Sequence, residues 1–583
     1  MDIPRPEHPR PDFFRADWLN LNGVWQFELD PGRSGHERRW FESGSFGKEI
    51  RVPFCMESPL GGVGVKDFVA GVWYRRTFAV PANWSGRRVL LNVGACDFQS
   101  RVYVNSRLVG EHVGGYCGFR FDVTDVLRDG ENVLVIEAQD DLRSGLQPGG
   151  KQSRLFNSHG CSYTRVTGIW QTVYLEAVPA TYIAHVKVHP DFDGQCVGVE
   201  VFPGGEVQKA RVEVTVLADG KKVTSGEAEL LGTPGRVRLE LPEMVAWSPE
   251  QPFLYDLELT LSTPAGRDAV TSYFGMRKVH TAGRVLYLNN EPFFMRTVLD
   301  QGYYPEGIYT APSDEALRKD IAISQAAGFN GARLHQKVFE PRFLYWADKL
   351  GYVVWGEMGS WNLNMESPLG VGNFIDEWME ILRRDFNHPS IIGWCPLNET
   401  RGQTGSLPRW LHKHLYDLNK AVDPARLAID TSGYIHYAGV GTDLYDVHSY
   451  QAPDELRKVY EPLAAGRWAE AFRNHPNHDI PYDGSRPYFA SEIGGIWWNP
   501  RSSGGDWGYG ERPKTEEELV RRYVETIEVL NGTPNLCGWC YTQLYDIEQE
   551  TNGVYYYDRE PKFAPEVLTK LRRANEGETA YPK

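Results

Sequence analysis

No stretch of this 583-residue chain holds the roughly eighteen successive apolar residues that a membrane-spanning helix needs, and the N-terminal MDIPRPEHPRPDFF lacks the apolar segment of a signal peptide. The sequence therefore predicts a cytoplasmic protein with no membrane partner. Basic clusters are scarce as well: 62 Lys and Arg stand against 77 Asp and Glu, a net charge of -15. Nucleic acid, whose phosphates are held by clustered cations, is excluded as a partner. Eight Cys spread along the chain do not make a disulfide framework. Cys537-Gly538-Trp539-Cys540 is a CxxC, but it lies in an apolar strand-like run where residues three apart face opposite sides. With no second CxxC and no HExxH, no metal site is expected, and with no P-loop and no GxGxxG after a strand, no organic cofactor is implied.

What is present is a soluble, globular composition with 41% hydrophobic and 24% charged residues, in a chain long enough for about three or four domains. Its 18 Trp and 30 Tyr suit stacking on sugars, although most are expected in cores. Residues 1–180 read as short strands between Gly, Asn and Asp turns (RRVLLNVGA, SRVYVNSRLVGEH, ENVLVIEAQ), the pattern of a jelly-roll sandwich. Residues 181–281 (IAHVKVHP, KARVEVTVLA, YDLELTLS) have the length of an immunoglobulin-like sandwich, without its Cys-Trp-Cys pin. From residue 282 to 583 strands alternate with helices in eight βα units, which predicts a (β/α)8 TIM barrel, its first helix capped at Ser313.

The centre of that barrel domain is RRDFNHPSIIGWCPLNE. A helical period stops at His388-Pro389, a short apolar strand follows, and its end delivers Asn398 and Glu399 to the face where barrel enzymes keep their chemistry. RPYFASE ends likewise in Glu492, before a tight Ile493-Gly494-Gly495 turn. Two carboxylic acids at strand ends, 93 positions apart in sequence, can meet only if the barrel closes. Glu357 and Asp430 end other strands and are read as supporting acids. Arg333, in NGARLH, can keep a nucleophilic carboxylate ionised. In DVHSY, His448 and Tyr450 share a face.

These segments, together with LNGVWQFELD, VWYRRTF, VYVNSRLVGEHVGGYCGFRFDVT and FGMRKV, resemble glycoside hydrolase family 2, the family of β-galactosidases, β-glucuronidases and β-mannosidases. The resemblance covers all three predicted domains. It implies that Glu492 is the nucleophile and Glu399 the acid/base of a retaining hydrolase, that Asn398 binds the sugar 2-hydroxyl, and that Arg333 and Tyr450 attend the nucleophile. It also implies that Trp539 floors the sugar site. His335 stands where the family's RxSHYP has become RLHQKV, and with His448 and Asp300, the acid closing the first strand, it joins the candidate sugar ligands. The two carboxyl groups are expected about 5 to 5.5 Å apart. A barrel that binds carbohydrate without turning it over is the rival class, which turnover of a chromogenic glycoside excludes.

The long connection at 141–169 is suited to close the barrel mouth, so exo action on a glycoside or small oligosaccharide is expected, by a monomer or a homo-oligomer. Where relatives carry an acid on this connection, alignment on RVTGIW gives Ser162. Where β-glucuronidases of the family carry Asn-x-Lys for the uronate, this chain has Glu550-Thr551-Asn552. Loss of the cation predicts a neutral glycone, a β-galactoside first, with galactofuranoside or arabinofuranoside next, and a uronide only if another cation such as Arg501 or Lys337 reaches the site.

Overall fold

The computed structural model describes residues 3–42, 46–206, 209–400, 409–474, 480–502 and 504–578. Period-two sequence becomes period-two burial. In Lys209–Ala218, for example, Ala210, Val212, Val214 and Val216 are buried while Lys209, Arg211 and Glu213 face solvent.

The front of the chain is a jelly-roll sandwich of a six-stranded antiparallel sheet (in order Lys48–Val52, Gly23–Leu29, Gly71–Ala79, Glu131–Gln139, Gln99–Val104, Arg107–Val113) and a four-stranded one (Trp18–Asn20, Val173–Val178, Arg88–Val93, Phe119–Asp122). Trp25, Phe27, Tyr74, Leu91, Leu134 and Leu175 belong to the core between them. An immunoglobulin-like sandwich follows, with sheets of three and four strands closed over Val186, Val199, Val212, Leu257 and Leu259.

The remainder is a TIM barrel of eight parallel strands: β1 (Met295–Asp300), β2 (Gly331–Leu334), β3 (Val353–Glu357), β4 (Ile391–Cys395), β5 (Leu427–Ala428), β6 (Tyr445–Ser449), β7 (Tyr488–Gly494) and β8 (Leu536–Thr542). Their order is 5-4-3-2-1-8-7-6; β1 pairs with β8, so the sheet curls round on itself. Around it lie α1 (Asp314–Ala326), α2 (Pro341–Leu350), α3 (Pro368–Arg384), α4 (Arg409–Val422), α5 (Pro453–Ala464), α6 (Glu516–Asn531) and α7 (Pro565–Asn575). Helix α1 is capped as its sequence predicts, Ser313 accepting from Ala316 N at 3.2 Å, an arrangement that contributes about 1 kcal/mol. The α3 stop before His388-Pro389 also appears, the helix ending at Arg384. Among the described residues no helix is long and apolar enough to cross a membrane.

The barrel departs from eight regular βα units after β5. Residues 429–444 form turns and no helix, because Gly433 and Gly439 take left-handed backbone and the side chains of Asp430, Ser432 and His436 bond inward instead of lining a helical face. The connection that leaves the front sandwich does not return to it directly. It lies along the barrel mouth, with Gly149 N donating to Trp361 O (2.9 Å), Gly150 N to Gly359 O (3.0 Å) and Asn364 N to Gly145 O (2.8 Å).

The CxxC expectation fails in one respect. The register between β7 and β8 slips from Tyr488↔Leu536 to Phe489↔Gly538, so Cys537 is an extra residue and the side-chain alternation resets there. Cys537 and Cys540 therefore join one buried apolar cluster, as free thiols.

Candidate active site

Strands β4 and β7 bring Glu399 and Glu492 together. A carboxylate oxygen of each and Nδ1 of His448 all lie within 4.8 Å of one another. Glu399 lies four residues beyond the end of β4, directly after Leu397-Asn398. Its φ of 48° is unusual for a residue with a side chain, and its amide is fixed by Ser432 O at 2.8 Å. Its side chain is 16% exposed, whereas that of Glu492 is 4% exposed.

Glu492 is surrounded by donors. Tyr450 Oη donates to its Oε2 at 2.5 Å, Arg333 Nη1 to its Oε1 at 3.2 Å, and His448 Nδ1 lies 3.3 Å from Oε2. Burial opposes its charge, but His448, His335, Arg333 and Lys151 together outweigh burial and pull its pKa down to about 2. Arg333 is fully buried among acceptors: Glu357 Oε2 (2.8 Å), Asn398 Oδ1 (2.8 Å) and Ser491 O (2.9 Å). The supporting acid of β3 thus fixes Arg333, and through it Asn398. The Nδ2 of Asn398 is buried and has no protein partner, a donor left for a ligand.

His448 Nδ1 donates to Glu399 Oε1 at 2.8 Å. Burial disfavours its charge, yet the neighbouring Glu492 and Glu399 raise its pKa above the ordinary histidine value. His335 differs: burial lowers its pKa despite Glu357 at 3.0 Å, and it packs beside Arg333 without reaching Glu399 in any described contact. The ring of Tyr450 stacks on Tyr509 (centroids 3.7 Å apart, planes 5° apart), and a Cβ on Gly495 would come within 2.5 Å of the Tyr509 ring, so the tight turn after β7 needs glycine.

Two expected ligands go elsewhere. Trp539 points outward into the helix layer, its Nε1 donating to Asn531 Oδ1 (2.8 Å) at the end of α6 and its ring edge-on to Phe329. The resemblance that put Trp539 on the floor of the sugar site takes no account of the Cys537 bulge, which sets the facing of the residues after it. Accordingly, Trp539→Ala is expected to destabilise the fold by about 3–5 kcal/mol while leaving KM of the folded enzyme within about twofold, a split that urea unfolding and steady-state kinetics measure separately. Asp300 is likewise engaged, accepting from Tyr545 Oη (2.5 Å) and Gly302 N (2.9 Å); burial lifts its pKa to about 6, and it contacts neither acid.

Sequence reasoning missed Lys151, the single lysine of the 141–169 connection. It is 5% exposed, its Nζ lies 5.3 Å from the centre of the Trp361 ring, and Trp361 Nε1 donates to Asn398 O at 3.2 Å. Burial opposes its charge, but Glu550, Glu492 and Glu399, with Cys161, raise its pKa. The signal was available: a lysine between Gly149-Gly150 and Gln152 in a loop expected over the mouth. The two cations named from sequence are occupied. Lys337 Nζ is bound by Gly302 O and Tyr309 O, and burial lowers its pKa to about 7; Arg501 is exposed, stacked on Tyr556 and paired with Asp558. Glu550 is buried and accepts from Tyr163 Oη and Asn552 Nδ2. Ser162 stays at the rim, where its carbonyl accepts from Gln549.

Three family descriptions match the chain: "Glycosyl hydrolases family 2, sugar binding domain" over residues 19–179, "Glycosyl hydrolases family 2" over 181–277, and "Glycosyl hydrolases family 2, TIM barrel domain" over 279–494. A β-glucuronidase of Paenibacillus borealis is 26% identical over 98% of this chain and 99% of its own. Among solved structures, a β-glucuronidase of Bifidobacterium dentium superposes with a TM-score of 0.80 at 19% identity, covering 97% of this chain and 98% of that one. A β-galacturonidase of Eisenbergiella tayi gives 0.76 at 20% identity, covering 98% of each chain.

Proposed function

The chain belongs to family 2 of the glycosyl hydrolases and is a glycosidase that cleaves O-glycosyl bonds, and from that premise we propose that it is an exo-acting, retaining β-uronidase. In this reading Glu492, held ionised, attacks the anomeric carbon from one side while Glu399 protonates the departing oxygen; Glu399 then takes a proton from the water that releases the sugar. A separation below 4.8 Å between oxygens of the two acids supports retention, since an inverting pair stands about 6.5–9.5 Å apart to admit water. The Asn398 amide, with its unpartnered Nδ2, supports a contact to the sugar 2-hydroxyl.

The observation that carries the uronide is Lys151. The expectation of a neutral sugar rested on the barrel loop alone, and the front sandwich supplies a buried ammonium from another direction. The β-glucuronidase relatives support the same reading. A second reading survives on Asn552 and Glu550: the position of the family's lysine holds the neutral Asn552, hydrogen-bonded to the buried carboxylate of Glu550, a setting that favours a neutral pyranoside or furanoside. A panel of nitrophenyl β-glucuronide, β-galacturonide, β-galactoside, galactofuranoside and arabinofuranoside separates them. The uronides are expected to give the highest kcat/KM, and Lys151→Met to reduce kcat/KM on the better uronide about 10²–10³-fold, the cost of unpairing a buried charge, with less than about threefold change on neutral glycosides. A neutral glycoside as best substrate, or equal loss on both classes, sinks the uronide assignment.

A further inference from the structure

We infer that a buried chain of side chains behind the acid pair, anchored on His436, positions His448 and through it the carboxylate of Glu399; this rests on the reading of Glu399 as the acid/base. The chain starts in the turns that join β5 to β6 without a helix. His448 Nε2 lies 3.0 Å from Ser432 Oγ, Ser432 Oγ lies 3.2 Å from Ser491 Oγ, and Ser491 Oγ donates to Asp446 Oδ2 at 2.5 Å. Asp446 Oδ1 is 3.1 Å from His436 Nε2, and His436 Nδ1 is 2.8 Å from Asp430 Oδ1. Every one of these residues is buried. None of the links from Ser432 to Asp430 has a role in the chemistry described above.

The hydrogen positions follow from the two ends. His436 has acceptors on both sides, Asp430 Oδ1 at 2.8 Å from Nδ1 and Asp446 O and Oδ1 at 3.0 and 3.1 Å from Nε2, so both ring nitrogens donate; burial works against the charged ring, but Asp430 and Asp446 raise its pKa well above the ordinary value. Burial works against Asp446 too, and His436 with Ser491 keeps it ionised. An ionised Asp446 takes the Ser491 proton, which leaves Ser491 Oγ as acceptor for Ser432. Ser432 has then given its only proton, and what it presents to His448 is a lone pair. His448 must therefore carry hydrogen on Nε2, and with Nδ1 donating to Glu399 it stands as an imidazolium.

One oxygen of Glu399 is thereby fixed as an acceptor. The proton for the leaving group rests on the other, and the carboxylate that remains after proton transfer faces a cation already in place. The packing agrees with this role. Gly433, at φ 69°, lies so close that a Cβ would sit 2.6 Å from the His448 ring, and its amide donates to the same Asp446 Oδ2 at 3.0 Å. The backbone of Ser432 also pairs with Asn398 and holds the amide of Glu399, so one loop sets both the histidine and the acid. His436 and Ser432 are positioning residues: their side chains meet His448, Ser491, Asp446 and Asp430, not the carboxylates of Glu399 or Glu492.

The test compares leaving groups on the glycone that is turned over fastest. A methyl or methylumbelliferyl glycoside needs its oxygen protonated, and a 2,4-dinitrophenyl glycoside does not. Ser432→Ala, which removes only the hydroxyl, is expected to lower kcat/KM on the first kind about 10-fold or more and on the second less than about threefold, and Ser432→Thr to restore the first. His436→Gln is expected to show the same signature at larger size. Equal loss on both kinds of leaving group in a Ser432→Ala protein with unchanged melting temperature, or no loss at all, overturns the inference. Glu399→Ala run alongside separates the two claims: if it too lacks leaving-group dependence, the acid/base reading itself is wrong; if it shows that dependence and Ser432→Ala does not, only the positioning chain fails.

Discussion

Replacing Glu492 by glutamine is expected to lower kcat/KM by about 10⁵-fold on every glycoside tested, dinitrophenyl substrates included, because loss of a covalent nucleophile removes the step that all of them share. The size follows from how completely the site is built around that anion. Tyr450, Arg333 and His448 all converge on its two oxygens, and His448, His335, Arg333 and Lys151 outweigh its burial. A neutral amide in the same place cannot attack and leaves these groups facing an NH₂. The fold should survive, since Arg333 keeps Glu357 and Asn398 as partners. Circular dichroism and a melting curve verify that, and a 2-deoxy-2-fluoro glycoside of the preferred sugar, followed by peptide mass mapping, should label Glu492 in the native enzyme and nothing in the variant. A label on Glu399, or a variant keeping more than about 1% of native kcat/KM, would mean that the roles of the two acids are exchanged.

How much of this was legible in the sequence depended on whether a residue acts along its own strand or across the fold. The stop at His388-Pro389 and the apolar run after it are local signals that the structure keeps, and Asn398 and Glu399 follow that strand by three and four residues. The pairing of the acids needed the parallel sheet to curl round on itself, which the βα alternation supplies, β1 meeting β8 between the strands that carry them. The facing of a side chain within a strand was less secure. One extra residue at Cys537 flips every position after it, which is why Trp539 lies among helices and Thr542 lies by Tyr450. No composition or period announces such a bulge, although Gly538 was a hint.

Contacts between domains were the least legible. Lys151 comes to the acids from the front sandwich, about 180 residues before Arg333 in the chain, and a charge argument confined to the barrel loops left it out. The absence of a helix between β5 and β6 belongs to the same class. Its place is taken by turns whose polar side chains find partners on β6 and β7, a solution that hydrophobic periodicity does not encode because it contains little hydrophobic surface.

Glu399→Ala should behave unlike Glu492→Gln, and the contrast is the sharpest check on the assignment of roles. Protonation of the leaving oxygen matters in proportion to its basicity, so kcat/KM is expected to fall about 10³-fold on methylumbelliferyl or alkyl glycosides yet less than about tenfold on dinitrophenyl ones. Turnover of the latter should still slow at the second step, where no base activates water, and a burst of dinitrophenolate should precede the steady state. Glu399 is partly exposed at the mouth while Glu492 is closed in, so removing its side chain leaves space that a small anion can enter. Its departure also leaves His448 Nδ1, which had Glu399 Oε1 at 2.8 Å, with Glu492 at 3.3 Å as its remaining carboxylate, and once Glu492 is esterified in the glycosyl-enzyme the imidazolium is unmatched and attracts an anion. Azide is therefore expected to restore turnover of the dinitrophenyl substrate and to be recovered as the β-glycosyl azide, since it attacks the glycosyl-enzyme from the face that water would use. If Glu492→Ala instead yields the β-azide, Glu399 is the nucleophile; if neither variant responds to azide and Glu399→Ala loses activity equally on all leaving groups, Glu399 holds His448 in place but does not transfer the proton.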